Sequence, residues 1–115
     1  MRDFRKLEVW QDAMNLVQQV YRITGEFPAV EKYGLAQQLQ RSAVSIPSNI
    51  AEGCGRSSDN VFSHYLDLAN GSAFELETQL LLSAQLNYAA EQHIQPLIEA
   101  TQSIQRRLYA LRRKL

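Results

Sequence analysis

The chain lacks most of what marks specialised chemistry. It has one cysteine, Cys54, so no internal disulfide can form and a metal site built on several thiolates is excluded. There are only two histidines, His64 and His93, and no Glu-x-x-His pair of the kind that holds a di-iron centre in a helical bundle. Nothing resembles a phosphate-binding glycine loop: "EGCGRSS" has neither the lysine nor the preceding strand that such a loop requires. Twelve basic and twelve acidic side chains cancel, which removes any general pull toward nucleic acid while leaving local patches open. The longest uncharged run, "TQLLLSAQLNYAA", is 13 residues and carries Gln and Asn, too short and too polar to span a bilayer. The start, "MRDFRKLEVW", is charged throughout and has no apolar core of a signal peptide. A cytoplasmic protein without a membrane partner is the expectation. With 115 residues, 45% apolar and 21% charged, the chain has the composition of one folded domain.

What is present is helical periodicity. Five glycines and three prolines fall between strongly periodic segments, and no segment alternates with the period of two that a half-buried strand shows. The spacing predicts four helices, at about 6–25, 33–53, 58–88 and 91–114. In the first, Leu7, Trp10, Met14, Val17, Tyr21 and Thr24 alternate by three and four and read as the core-facing seam. The second is expected to bury Leu35, Leu39, Ser42, Ala43, Ile46 and Ile50, with Gly53 or Gly55 suited to a left-handed cap at its end. The third has Phe62, Tyr65, Leu66, Ala69, Ala73, Leu76, Leu80 and Ala84 as its main stripe. The fourth has Ile94, Leu97, Thr101, Ile104, Leu108, Leu111 and Leu115. Short connections make neighbours antiparallel, so the fold expected is an all-α, up-down-up-down four-helix bundle.

The third helix has more apolar surface than one bundle needs. Phe74, Leu81 and Tyr88 form a second line seven residues apart, and Leu68, Leu82 and Leu86 lie on another side. A lone copy would leave them in water, the mark of an interface. Phe74, Leu81 and Tyr88 are therefore the candidate contact residues of a homo-oligomer.

"SAVSIPSNIAEGCGRSS", residues 42–58, sets Pro47 inside the second helix. A proline there removes one backbone donor and clashes with the carbonyl four residues back, so the helix must bend. Two readings stand: a kink repaired locally by short polar side chains, or a buried or interfacial network in which Arg41, Ser45, Asn49 and Glu52 share a face.

Five of the basic residues crowd the last ten positions: Arg106, Arg107, Arg112, Arg113 and Lys114; Arg2, Arg5 and Lys6 open the chain. An even-numbered antiparallel bundle brings both termini to one end, so the eight gather there. They either complement the helix dipole and solvate a face, or bind phosphate. Cys54, between two glycines, is the one candidate nucleophile, and neither histidine is fixed as its base.

"FRKLEVWQDAMNLVQQVY", "FPAVEKYGLAQQLQRSAVSIPSNIAEG" and "LANGSAFELETQL" resemble the signature segments of a bacterial four-helix-bundle family. Its first members are encoded in intervening sequences of large-subunit (23S) ribosomal RNA genes, and it includes the accessory variability determinant of diversity-generating retroelements. The resemblance implies a homopentameric barrel of four-helix bundles with no enzymatic activity and no cofactor or metal. It makes Arg41, Ser45, Pro47, Asn49, Glu52 and Gly53 structural determinants. The retroelement members are basic and associate with nucleic acid and a reverse transcriptase; this chain is neutral. The expected function is a non-enzymatic homo-oligomeric scaffold or adaptor. The alternative is an accessory protein that binds RNA or DNA, or a nucleic-acid enzyme, through the terminal basic cluster.

Overall fold

The computed structural model describes residues 2–115. Four helices carry the fold: α1 (Glu8–Thr24), α2 (Leu35–Cys54), α3 (Asp59–Gln85) and α4 (Glu91–Arg113). Short 3₁₀ turns at Phe4–Lys6 and Ala29–Glu31 precede α1 and α2. No strand occurs among the described residues. Pairs between neighbours step in opposite directions along the chain: Ser42 meets Glu75 while Ser45 meets Ser72, and Arg107 meets Asp12 while His93 meets Glu26. Neighbouring helices are therefore antiparallel. Helix α1 packs on α2 and α4 and does not touch α3, so α1 and α3 stand diagonally opposite in a rod of 44 × 23 × 20 Å.

In α2, α3 and α4 the core follows the expected stripes, except that Tyr65, Ala84 and Leu111 are half-buried and Leu115, beyond the end of α4, is exposed. Leu39, Ile46 and Ile50, Phe62, Leu66, Leu76 and Leu80, and Ile94, Ile104 and Leu108 are all sealed from solvent. Helix α1 differs. Its buried face is Val9, Ala13, Leu16, Val20, Ile23 and Thr24; of the expected seam only Thr24 is buried, whereas Met14 and Tyr21 are exposed and Leu7, Trp10 and Val17 half-buried. The helix has two apolar stripes of the same period, and the one with the smaller side chains fits between its neighbours.

Local chemistry sets the helix ends. The Ser58 hydroxyl accepts the Val61 N–H at 3.4 Å and caps α3. The Glu31 carboxylate accepts the Leu35 N–H at 3.0 Å to start α2, and takes a second bond from the Tyr88 hydroxyl at 2.9 Å. Neither Gly53 nor Gly55 adopts a left-handed cap; Gly55 closes α2 in right-handed geometry with φ −77°. Gly53 lies inside the helix for a different reason. A Cβ there would sit 2.7 Å from the Tyr65 Cβ and 3.0 Å from the Phe62 ring, so its missing side chain lets α2 and α3 approach.

Candidate interaction surfaces

The proline of α2 shapes the first surface. Pro47 is buried and the helix continues through it. Polar side chains bond locally around the proline without reaching the Ala43 carbonyl that it leaves without its helix donor. The Asn49 side-chain amide donates to the Ser45 carbonyl at 2.8 Å and to the Ser45 hydroxyl at 2.9 Å, and the Ser72 hydroxyl of α3 donates to the Ser45 hydroxyl at 2.8 Å. Within one chain the wider network is not made. Arg41 and Glu52 are exposed, and neither side chain has a hydrogen bond or ion pair among the described residues. Eleven positions separate them, roughly 16 Å along one helix, so a shared face does not bring them together. The six residues read as structural determinants thus divide: Ser45, Pro47, Asn49 and Gly53 pack or bond within the chain, and Arg41 and Glu52 face outward.

Beside Pro47 lies an apolar hollow of about 370 Å³, lined by Phe4, Trp10, Met14, Val17, Val44, Pro47, Ser48 and Ala51. Phe4 meets Trp10 edge-on, ring centroids 5.1 Å apart, and forms the floor at one end. The hollow shares Phe4 and Ala51 with a second one by Arg2, Asp3 and Arg5. It shares Val44 with a third by Tyr21, Gln37, Gln40 and Arg41. The third in turn shares Tyr21, Gln37 and Gln40 with a fourth by Phe27, Lys32 and Tyr33. Together they make one furrow along the whole α1/α2 side. The residues were visible in the sequence as a periodic stripe; assigning that stripe to the core hid the furrow.

The outer side of α3 is the second surface. Leu68, Phe74, Leu81, Leu82 and Leu86 are between 42% and 56% exposed. Tyr88 does not join Phe74 and Leu81. Helix α3 ends at Gln85, Asn87 takes a left-handed turn with φ 57°, and Tyr88 folds back, half-buried, against Phe27 with ring centroids 5.6 Å apart. Its hydroxyl is committed to Glu31, which pushes the Tyr88 pKa up and, with the Leu35 N–H as the larger cause, holds the Glu31 carboxyl below the usual carboxylate range.

The third surface is the end that holds the chain termini. The half of the bundle at this end carries nine of the twelve Lys and Arg residues and six of the twelve acids; the opposite half keeps Arg22, Lys32 and Arg41 against the other six. Half of the eight terminal cations are already paired. Arg2 bonds Asp59 and lies 4.2 Å over the Phe62 ring, Arg5 is 3.7 Å from Asp3, and Arg107 and Arg112 are each 2.7 Å from Asp12 and Asp67. Lys6, Arg106, Arg113 and Lys114 have no acid within ion-pair distance among the described residues.

Cys54 is not in a loop at a helix start. It is the last residue of α2 and fully buried, and burial pushes its thiol pKa up despite the nearby Arg2 guanidinium. The result is a protonated, inaccessible thiol, the opposite of an activated nucleophile. His93 is exposed, its Nδ1 3.0 Å from the Glu26 carboxylate at the far end of the bundle. Among the described residues no group of three or more His, Cys, Asp and Glu side chains could hold a metal ion, and no helix is long and apolar enough to cross a membrane.

The model of the 23S rRNA-intervening sequence protein family matches residues 5–110. The chain belongs to that family. The match takes in all four helices save the last turn of α4, as the resemblance in the sequence predicts. A solved protein of unknown function from Bacteroides thetaiotaomicron VPI-5482, assigned to the S23 ribosomal protein family, has the same fold: TM-score 0.84 at 20% identity, over 90% of this chain and 97% of that one. Among curated proteins, none matches.

Proposed function

We propose that this member of the 23S rRNA-intervening sequence protein family is a non-enzymatic scaffold that works in the cytoplasm as a homo-oligomer. The observation that carries the reading is the pair of uncovered apolar surfaces, the α1/α2 furrow and the outer side of α3. A soluble monomer seldom exposes so much contiguous apolar area without a partner. Copies of the same chain are the partner always present at matching concentration, and five is the number that the family resemblance implies. The reading is non-enzymatic because the one candidate nucleophile, Cys54, is sealed and protonated. Light scattering on nuclease-treated protein tests it. A mass several times 13.1 kDa, free of nucleic-acid absorbance, is expected; a monomer at all concentrations refutes it.

A second reading has its own support in the uneven charge along the rod, with Lys6, Arg106, Arg113 and Lys114 unpaired at the terminal end. There the protein binds RNA or DNA, or a nucleic-acid enzyme, as an accessory factor. Phosphate binding by these four predicts an affinity that falls linearly with salt on logarithmic axes, with a slope of about −3 to −4. Loss of that slope in a variant with all four changed to Gln supports the reading, and a flat salt response sinks it.

A further inference from the structure

The two uncovered apolar surfaces differ in shape and in charge, and the difference says how copies meet. The α1/α2 surface is concave, a furrow that runs the length of the rod. The α3 surface is convex, a single helix of 27 residues standing outward. At its middle, Gly71 has nothing within 4 Å of where a Cβ would be, so the crest between Leu68 and Phe74 is open to close approach. The furrow is lined by four cations, Arg2, Arg5, Lys32 and Arg41, and by one acid, Asp3. Helix α3 carries four acids, Asp59, Asp67, Glu75 and Glu77, and no Lys or Arg. Arg2 and Arg112 already hold Asp59 and Asp67, Asp3 holds Arg5, and Glu77 turns to Gln102 and Gln105 of α4. Lys32 and Arg41 in the furrow and Glu75 on the ridge are left without an ion-pair partner among the described residues.

We infer that the α3 ridge of one copy seats in the α1/α2 furrow of the next. This rests on the self-assembly proposed above and specifies its geometry. Furrow against furrow would set hollow against hollow and cation against cation, and would leave α3 wet. Ridge against ridge would set acid against acid and leave the furrow empty. Only ridge in furrow covers both surfaces and brings opposite charges together. Because the furrow lies between α1 and α2 while the ridge is the outer side of α3, diagonal to α1, one copy offers its two surfaces on different faces. The contact is therefore heterologous: each copy gives a ridge to one neighbour and a furrow to the other, and the series closes into a ring when the rotation allows.

Two variants test this. Met14→Glu with Val44→Glu spoils the furrow and spares the ridge; Phe74→Lys with Leu82→Lys does the reverse. All four positions are exposed, so each variant keeps its helicity by circular dichroism. Each variant alone is expected to self-associate at least about a hundredfold more weakly than the parent, since charges of the wrong sign enter the contact without a partner. Mixed in equal amounts, the variants regain at least one intact contact, the ridge of the first in the furrow of the second, and sediment as particles larger than either variant forms alone. If the parent assembles and the mixture stays monomeric, this geometry is wrong while self-assembly stands. If the parent itself is monomeric, self-assembly fails and this geometry with it. Should a charged variant lose helicity, the Ser versions at the same positions give the same two arms.

Discussion

Helix α1 carries two apolar stripes of the same period, and they have opposite fates. Val9, Ala13, Leu16, Val20 and Ile23 are buried between α2 and α4; Trp10, Met14, Val17 and Tyr21, one position along, look out over the furrow. The outer stripe has the larger and more aromatic side chains. The bundle takes the slimmer one because helices approach to about 8–10 Å only where the side chains between them are modest. Bulk and aromaticity thus do not mark the core: the slimmer, purely aliphatic stripe is taken, and the bulkier one with its Trp and Tyr is left for another use.

The strongest way to break that contrast is to truncate one residue from each stripe. Leu16→Ala should lose about 3 kcal/mol of stability by denaturant unfolding, because it opens a cavity at a fully buried site. Met14→Ala, whose side chain is 39% exposed and leaves no sealed cavity, should cost the isolated subunit about 1 kcal/mol or less. Equal losses would mean the stripes are not distinguished in this way. A smaller effect concerns the tight side of α2. Gly53→Ala should destabilise by about 1–2 kcal/mol in the same assay, since overpacking against Tyr65 outweighs the gain in helix propensity. A more stable variant would show that α2 and α3 can part there at little cost.

The smallest effect lies at the far end of the furrow, where Glu31 joins the start of α2 to Tyr88. A carboxyl with a lowered folded pKa stabilises fully above its ordinary value near 4.5 and loses that contribution as pH falls through the folded value. Melting temperature followed from roughly pH 5 to pH 3 should therefore fall less steeply in Glu31→Gln than in the parent. An unchanged slope would remove the Glu31 bonds from the account.

Much of the fold was legible in the sequence because α2 and α4 each carry one dominant stripe, and in α3 the main stripe is longer and more continuous than the second line through Phe74 and Leu81. Leu39, Ile46 and Ile50, or Ile94, Ile104 and Leu108, leave a single packing choice. Helix α1 was not legible in this way, since periodicity specifies a face only when one face is apolar. Gly53 reads as a cap because glycines usually end helices; its packing role depends on Tyr65, twelve residues on and visible only across the α2/α3 contact. Tyr88 continues the Phe74–Leu81 spacing on paper, but α3 ends three residues earlier. Arg41 and Glu52 share a helical face without sharing a height, a distinction that spacing by fours conceals. The terminal cations do gather in one half of the bundle, but their acid partners come from distant positions such as Asp12, Asp59 and Asp67.

Trp10, the only tryptophan, lies in the furrow and reports on it directly. Iodide quenching of its fluorescence across protein concentration is the measurement closest to the central claim. In the parent, Trp10 should become shielded as concentration rises. In Phe74→Lys with Leu82→Lys, whose own furrow is untouched, it should stay open to quencher throughout. Identical quenching of the two proteins at every concentration would contradict the claim that one copy's α3 covers another copy's furrow.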